Sequence, residues 1–347
     1  MNRILMPLAT GFKLGVALRT AAYRRGWLAT RRLNRPVVSV GNLSVGGTGK
    51  TPFVAFLAEL FMKRGWRPGI LTRGYGRRQG PSLIAIEPGP ARAPDPGEVG
   101  DEPALLARKL PEVPIVVGAD RYRAGILAEE KYNVDVHILD DGFQHFALAR
   151  DVDIVLLDST QACSNRELLP SGKLREPVEA LERAQLVVMT RTELADPQPT
   201  EECVRQVNPK ARIYRCTTKL KDLLNLSRGT LEQFDPPQSG AIHAFCGIGN
   251  PSAFFSGLEK WGFTVESRTA FLDHHVYRAE EITRLVTLAG KSGAKALITT
   301  EKDALNFPPL GKTDIPILAC VVQSELGEVA GFEEALLDRL KAVRVNA

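Results

Sequence analysis

The sequence has no CxxC pair, no uncharged run near the ~20 residues a membrane-spanning helix needs, and no acidic side chain before Glu59. Its five cysteines, Cys163, Cys203, Cys216, Cys246 and Cys320, are odd in number and scattered, which excludes a zinc ribbon or a disulfide framework and fits a reducing compartment. Low-complexity tracts and repeats of ~20–50 residues are missing, so solenoids and propellers are excluded. There is no N/T-K-x-D clamp of the kind that reads guanine, since Glu301-Lys302-Asp303 sets lysine and aspartate side by side, which counts against a GTPase. What remains is an ordinary globular composition, 44% hydrophobic and 24% charged, in a 347-residue chain long enough for two domains.

The missing acids define an arm. Residues 1–35 carry Arg3, Lys13, Arg19, Arg24, Arg25, Arg31, Arg32 and Arg35, interleaved with apolar residues such as Leu8, Phe12, Val16, Leu18 and Trp27. The net charge of +5 comes from this arm, because the rest of the chain has fewer basic than acidic residues. A general nucleic-acid binder would be basic throughout, and no DNA-reading motif is present. Three readings of the arm stay open: a helix lying in the headgroups of an anionic membrane, a cleaved targeting peptide, or a helix packed on its own protein.

Beyond the arm, short apolar runs alternate with helical stretches. Pro36–Val40, Gly69–Thr72, Pro114–Gly118, Val136–Asp140, Asp153–Asp158 and Leu186–Thr190 read as strands, with helix formers at Phe53–Arg64 and Ala104–Lys109 between them. That alternation predicts an α/β fold with a mostly parallel sheet covered on both faces. A shorter series follows at Ala241–Cys246, Thr264–Phe271, Ala296–Thr300 and Ile315–Val322. A break at Leu231-Glu-Gln-Phe-Asp-Pro-Pro-Gln-Ser-Gly240 suggests an arm over 1–35, a core domain over 36–225, a linker over 226–240 and a smaller α/β domain over 241–347. Pro88 to Gly100 reads as a long surface loop.

Ser44-Val45-Gly46-Gly47-Thr48-Gly49-Lys50-Thr51 sits between the first strand and a helix and approximates G-x-x-x-x-G-K-[ST]. Its backbone amides can curl around a phosphate at the helix N-terminus, although serine stands where the first glycine belongs. Lys50 would reach the β- and γ-phosphates, and the Thr51 hydroxyl would bind Mg²⁺. The bland alternative is an incidental glycine-rich turn. Val136-His-Ile-Leu-Asp140-Asp141 has the form of a strand whose terminal acid holds the metal, beside the loop at the carboxyl edge of the sheet; its alternative is a strand exit capped by solvated acids. His137 and His145 share no metal-ligand spacing, and His137 is expected on the packing side of its strand.

Several polar clusters complete the pattern: Thr72-Arg-Gly-Tyr-Gly-Arg77, Gly100-Asp-Glu-Pro103, Leu139-Asp-Asp-Gly-Phe-Gln-His145, Leu169 to Pro177, Gly247-Ile-Gly-Asn-Pro251, Asp273-His274 and Thr300-Glu-Lys-Asp303. In order and spacing, with the loop variant and the basic arm, they resemble the tetraacyldisaccharide 4′-kinases, the lipid A 4′-kinases of Gram-negative bacteria, over essentially the whole chain. The resemblance implies a P-loop NTPase-like three-layer α/β/α domain and a second α/β domain facing it across a cleft. It implies ATP and Mg²⁺ as cofactors and transfer of the γ-phosphate to the 4′-hydroxyl of a tetraacylated glucosamine disaccharide 1-phosphate, giving lipid IVA at the cytoplasmic face of the inner membrane.

The same resemblance puts the general base on Asp101, assisted by His274. These stand in different expected domains, so their pairing would await closure of the cleft. Glu102, Asp140 and Asp141 are left to hold Mg²⁺ with Thr51, and Arg73, Gln144 and Arg175 are candidates for phosphate or sugar contacts. Implied partners are the acylated disaccharide lipid and an anionic membrane surface, with no nucleic acid and no obligate protein. One departure stands out: the resemblance leads to the expectation of a lysine near the place where Asn306 stands. The rival reading from another class is a membrane-recruited P-loop ATPase switch that controls a protein partner.

Overall fold

The computed structural model describes residues 6–78, 80–89, 94–161, 167–232, 240–311 and 313–345. A basic helix, α1 (Met6–Arg24), precedes strand β1 (Val37–Asn42). Then follow α2 (Lys50–Lys63), β2 (Pro68–Thr72), β3 (Leu83–Ile86), the single turn α3 (Pro96–Val99), α4 (Asp101–Lys109), β4 (Ile115–Gly118), α5 (Arg121–Tyr132) and β5 (Val136–Asp140). After β6 (Val152–Asp158), β7 (Leu186–Thr190) and α6 (Gln198–Val207) comes the 14-residue β8 (Arg212–Asn225), paired with the short β9 (Thr230–Glu232). The chain ends with β10 (Ala241–Cys246), α7 (Pro251–Lys260), β11 (Thr264–Ala270), α8 (Ala279–Lys291), β12 (Ala296–Thr300), β13 (Ile317–Leu326) and α9 (Val329–Val345).

Every predicted strand is present, within a few residues. Sequence reading missed β3, β8 and β9. The expected 88–100 loop holds α3, and its residues 90–93 lie outside the described ones. Of the expected 226–240 linker, β9 is described and 233–239 are not.

All thirteen strands belong to one sheet, ordered β11-β10-β12-β13-β8-β7-β6-β1-β5-β2-β4-β3 with β9 beside β8. It is mostly parallel, with antiparallel pairs at β3–β4, β8–β9 and β8–β13. Parallel strands are buried on both faces and so read as continuous apolar runs, as β1, β5 and β6 do. Side chains alternate between the faces. Val38, Val40 and Ile138 pack with Phe53, Leu57 and Phe61 of α2, while Val37 and Leu139 pack with Ala124 and Ala128 of α5 on the other side.

The second half repeats the arrangement. Ile242 and Ala244 pack with Phe254 and Leu258 of α7, and Phe245 and Leu297 pack with Ile282 and Leu285 of α8. This is the three-layer α/β/α architecture expected, with β8 as the join. The start of β8 pairs in parallel with β7, and the remainder runs antiparallel to β13 of the second half. Helix α9 crosses back to the first half, where Phe332 meets Phe53 and Tyr214 edge-on at 5.9 and 5.2 Å.

Candidate functional site

The glycine loop leaves β1 between β5 and β6, in the middle of the first half of the sheet. Ligands of open α/β sheets bind beyond the carboxyl ends of such strands. Register sets Asp140 opposite Val40, so the β5 acids stand beside the loop as their sequence position suggested. Gly49 has φ +81°, a left-handed conformation that an L side chain resists, and it turns the chain into α2 so that the helix begins at Lys50. With no side-chain cap at that N-terminus, the first amides of α2 are left for an anion. Asn42 donates to the Ser44 carbonyl (2.7 Å) and the Thr48 hydroxyl (3.0 Å), which pins the loop from below.

The loop lines a cleft of about 790 Å³ between the two halves. Its other wall is the Gly247–Asn250 turn and the loop carrying Asp273 and His274. Contact across the cleft is close: a Cβ on Gly249 would stand 2.8 Å from the Gly47 nitrogen and 2.9 Å from the Gly46 Cα.

Lys50 Nζ lies 3.5 Å from Asp141 Oδ1, and Arg175 bonds Asp141 Oδ2 at 2.7 Å. Burial pushes the Asp141 carboxyl up, but Lys50 and Arg175 outweigh it, and the group ends below its ordinary value. Neighbouring Asp140 is buried, accepts a hydrogen bond from Thr72 (3.0 Å) and is pushed up to about 7 by burial and by the charges of Glu102 and Asp141. Crowded carboxylates with an unsatisfied charge balance suit a divalent cation. No three acidic, histidine or cysteine groups among the described residues form a cage of their own. Mg²⁺ takes one or two carboxylates and completes its shell with phosphate and water. Thr51 and Glu102 line the same cleft.

At the opposite wall, His274 Nδ1 is 2.8 Å from Asp101 Oδ2. The pair joins the N-terminus of α4 to the second half and is already made in this structure, so no closing movement is needed to form it. Asn306 Nδ2 donates to the same Asp101 oxygen at 3.0 Å. Asn306 therefore touches the proposed base. Lys302 Nζ bonds Asp273 Oδ1 (3.1 Å) and lies 3.5 Å from His274 Nε2. The hydrogen bond to Asp101 raises His274 above its ordinary value against burial and Lys302; burial pushes Asp101 up, but the bonds from His274 and Asn306 bring it below the ordinary carboxylate range.

Asp303 is a structural hub. It accepts from the Gly247 amide (2.8 Å), the Tyr277 hydroxyl (2.9 Å) and the Thr300 hydroxyl (2.6 Å), fixing the three turns that carry Gly249, His274 and Lys302.

Of the remaining expected site residues, Arg73 lies exposed at the cleft mouth. Gln144 is not in the cleft. It donates to the Asn42 carbonyl (3.0 Å) and lines a second cavity, of about 410 Å³, under Phe12, Val16 and Arg19 of α1. Arg175 borders both cavities. His137 is fully buried on Glu129 (3.1 Å), as its strand position implied. Four cysteines are free and buried, while Cys163 lies outside the described residues.

The chain is similar to known proteins over nearly its whole length. The family model described as Tetraacyldisaccharide-1-P 4′-kinase matches residues 1–341. A tetraacyldisaccharide 4′-kinase of Geobacter metallireducens is 40% identical over 96% of this chain and 96% of its own length. One from Halorhodospira halophila is 38% identical over 98% of this chain and 94% of its own. The crystal structure of LpxK from Aquifex aeolicus, described as in complex with ATP, superposes with a TM-score of 0.73 at 31% identity, covering 97% of this chain and 98% of that one.

Proposed function

Because this chain belongs to the tetraacyldisaccharide-1-P 4′-kinase family, we propose that its cleft transfers the γ-phosphoryl group of ATP to the 4′-hydroxyl of a tetraacylated glucosamine disaccharide 1-phosphate, giving lipid IVA. The observation that carries this reading is the single cleft lined on one wall by the glycine loop and on the other by His274, the partner of Asp101.

The loop amides and Lys50 grip the nucleotide phosphates. The 4′-oxygen attacks the γ-phosphorus in line, a new O–P bond forms, and the bond to the bridging oxygen breaks to release ADP. Asp101 takes the hydroxyl proton, with His274 as its hydrogen-bonded partner. Lys50 and Arg175 neutralise charge near the transferring group. Mg²⁺ held by Thr51 and by carboxylates among Glu102, Asp140 and Asp141 would supply further charge neutralisation when bound. The second cavity suits the acceptor sugar, because Arg175 reaches from it to the phosphoryl side and Gln144 lines it. In this reading residues 36–225 hold the nucleotide and 241–347 complete the cleft. Radiolabelled γ-phosphate offered with a detergent-solubilised disaccharide lipid tests the assignment. Label is expected on the distal sugar, and ATP hydrolysis indifferent to the acceptor would defeat it in favour of an ATPase switch.

The pH dependence has a definite sign. Below its raised value His274 is an imidazolium, and the pair already holds the proton it is meant to take, so turnover falls as pH drops through that value. Lys302 lowers the His274 value. In Lys302→Ala the acid limb of the kcat profile is expected to move to higher pH. An unmoved limb, or one moved to lower pH, would show that another group governs it.

An acceptor with four acyl chains stays in the bilayer, because each buried CH₂ is worth ~0.8 kcal/mol. No helix among the described residues is long and apolar enough to cross a membrane. In α1, Phe12, Val16 and Thr20 face the second cavity and Tyr23 stacks on Phe146 at 5.6 Å, while Leu14 and Leu18 on the other side, and Leu8 one turn before Phe12, are about 60% exposed. We assign that exposed side to the anionic cytoplasmic face of the inner membrane. Deleting residues 1–30 removes five basic side chains, each worth ~1 kcal/mol near such a surface. Partitioning onto anionic vesicles is then expected to fall by about tenfold or more, and equal sedimentation of truncated and intact protein would refute this role of the arm.

A further inference from the structure

We propose that Arg191 is a ligand of the inner nucleotide phosphates, held in place by Asp158. This inference rests on the reading of the glycine loop as the ATP site. Arg191 follows the last residue of β7 and has φ +56°, a left-handed conformation uncommon outside glycine. Such outliers persist where the surroundings fix them, and they cluster at ligand sites. Here the preceding residue is tied down, since the Thr190 hydroxyl donates to the Thr48 carbonyl of the glycine loop at 3.0 Å. The turn brings the Arg191 side chain back over the loop, where it lines the cleft.

The guanidinium is divided in its contacts. Nη1 is ion-paired with Asp158, whose side chain is almost wholly buried. Nη2 makes no hydrogen bond among the described residues and lies 4.0 Å from where a Cβ on Gly47 would stand. On the same side of Gly47, at 3.9 Å from that point, is the backbone nitrogen of Asn250. Asp158 holds Asn250 as well, accepting from its Nδ2 at 3.0 Å, and takes further bonds from the Thr160 amide (3.0 Å) and hydroxyl (2.7 Å). A saturated carboxylate thus fixes two donors beside the middle glycine of the loop. One comes from each half of the molecule.

A simple structural salt bridge would have no need of the free Nη2 over the cleft. Lys50 and Arg175, the cations assigned to the outer phosphates, also share the charge of Asp141. A triphosphate brings more negative charge than they can balance, and a planar guanidinium anchored through one nitrogen is suited to give another to phosphate. The middle amides of a glycine loop cradle the inner phosphates. The contact is therefore to the β-phosphate, made alike by ATP and ADP.

Calorimetric titration of the intact protein with Mg-ATP, Mg-ADP and AMP tests this in wild type, Arg191→Ala and Arg191→Lys, each checked for an unchanged unfolding midpoint. Arg191→Ala is expected to weaken ATP and ADP alike by about 10–100-fold, the worth of one charged hydrogen bond, and to leave AMP within about twofold. Arg191→Lys, whose single ammonium cannot serve Asp158 and a phosphate together, should lie between. Wild-type affinity for ATP in both variants overturns the proposal, as does equal weakening of AMP. If the wild type itself fails to bind ATP, the nucleotide reading of the loop is what falls.

Discussion

Asp101→Asn lowers kcat by about 10²- to 10⁴-fold, the usual contribution of a positioned general base. The substitution keeps the shape of the side chain and one oxygen to accept from His274 or Asn306, but the amide cannot take the hydroxyl proton. Asp101 stands at the start of α4 and is bonded to His274, on the wall of the cleft opposite the glycine loop, so KM for ATP should change by less than about threefold. Initial rates at saturating ATP and acceptor measure the effect directly. A loss confined to KM would make Asp101 a binding group, and near-normal turnover would remove it from the chemistry. His274→Ala is expected to cost less, because Asp101 keeps its carboxylate and its bond from Asn306. The same logic gives Asn306 an orienting part: a neutral donor suffices to hold the Asp101 carboxylate when His274 supplies a second contact to the same oxygen.

What was legible in the sequence followed from local rules. Buried parallel strands announce themselves as unbroken apolar runs, which is why β1, β5, β6 and β7 were found, and the glycine loop sits where a strand meets a helix. By contrast β8 alternates exposed and partly buried residues over 14 positions and carries four Lys or Arg side chains, so it reads as a solvated segment. Its strand character comes from two partners, β7 and β13, that are remote in sequence at one end or both. The Asp101–His274 contact spans 173 residues, and no spacing rule reaches across it; only the resemblance to a known family brought these two together. Arg191 and Asp158 have no legible site role, and Asn250 is legible only as part of the Gly247–Pro251 cluster, for a related reason. Each is an ordinary polar residue at a strand or helix end, and their convergence on Gly47 depends on the close approach of the two halves at Gly249. Gln144 shows the limit in the other direction, since the motif that contains it is legible but the cavity it lines, under α1, is not.

Lys50→Met is expected to lower kcat/KM for ATP by about 10²- to 10³-fold, comparable to removing one preorganised charge-stabilising donor. Its side chain is only 10% exposed and its ammonium faces Asp141 at 3.5 Å, so a neutral side chain of similar length leaves the loop filled but its charge gone. Unfolding must be separated from catalysis, and the two carboxylates beside Lys50 provide the means. Asp141 lies below its ordinary value in the folded protein, so it contributes stability at neutral pH that is lost as pH falls through that value; Lys50 is one of the two cations holding it down. Asp140 has the opposite sense. Its folded value of about 7 lies above the ordinary one, so as pH rises from the ordinary value through 7 it increasingly opposes folding, and Lys50 moderates that rise. Both effects make the variant less stable than wild type at pH 8; that of Asp140 shrinks toward pH 5, where Asp140 is largely protonated, while that of Asp141 persists until pH falls below the ordinary carboxylate range. The gap in unfolding midpoint between the two proteins should therefore narrow from pH 8 to pH 5. The catalytic loss, measured on protein shown to be folded at each pH, should persist throughout. A rate that recovers in step with the midpoint would mean that Lys50 acts by holding the loop together, and the phosphate contact assigned to it would have to pass to another cation.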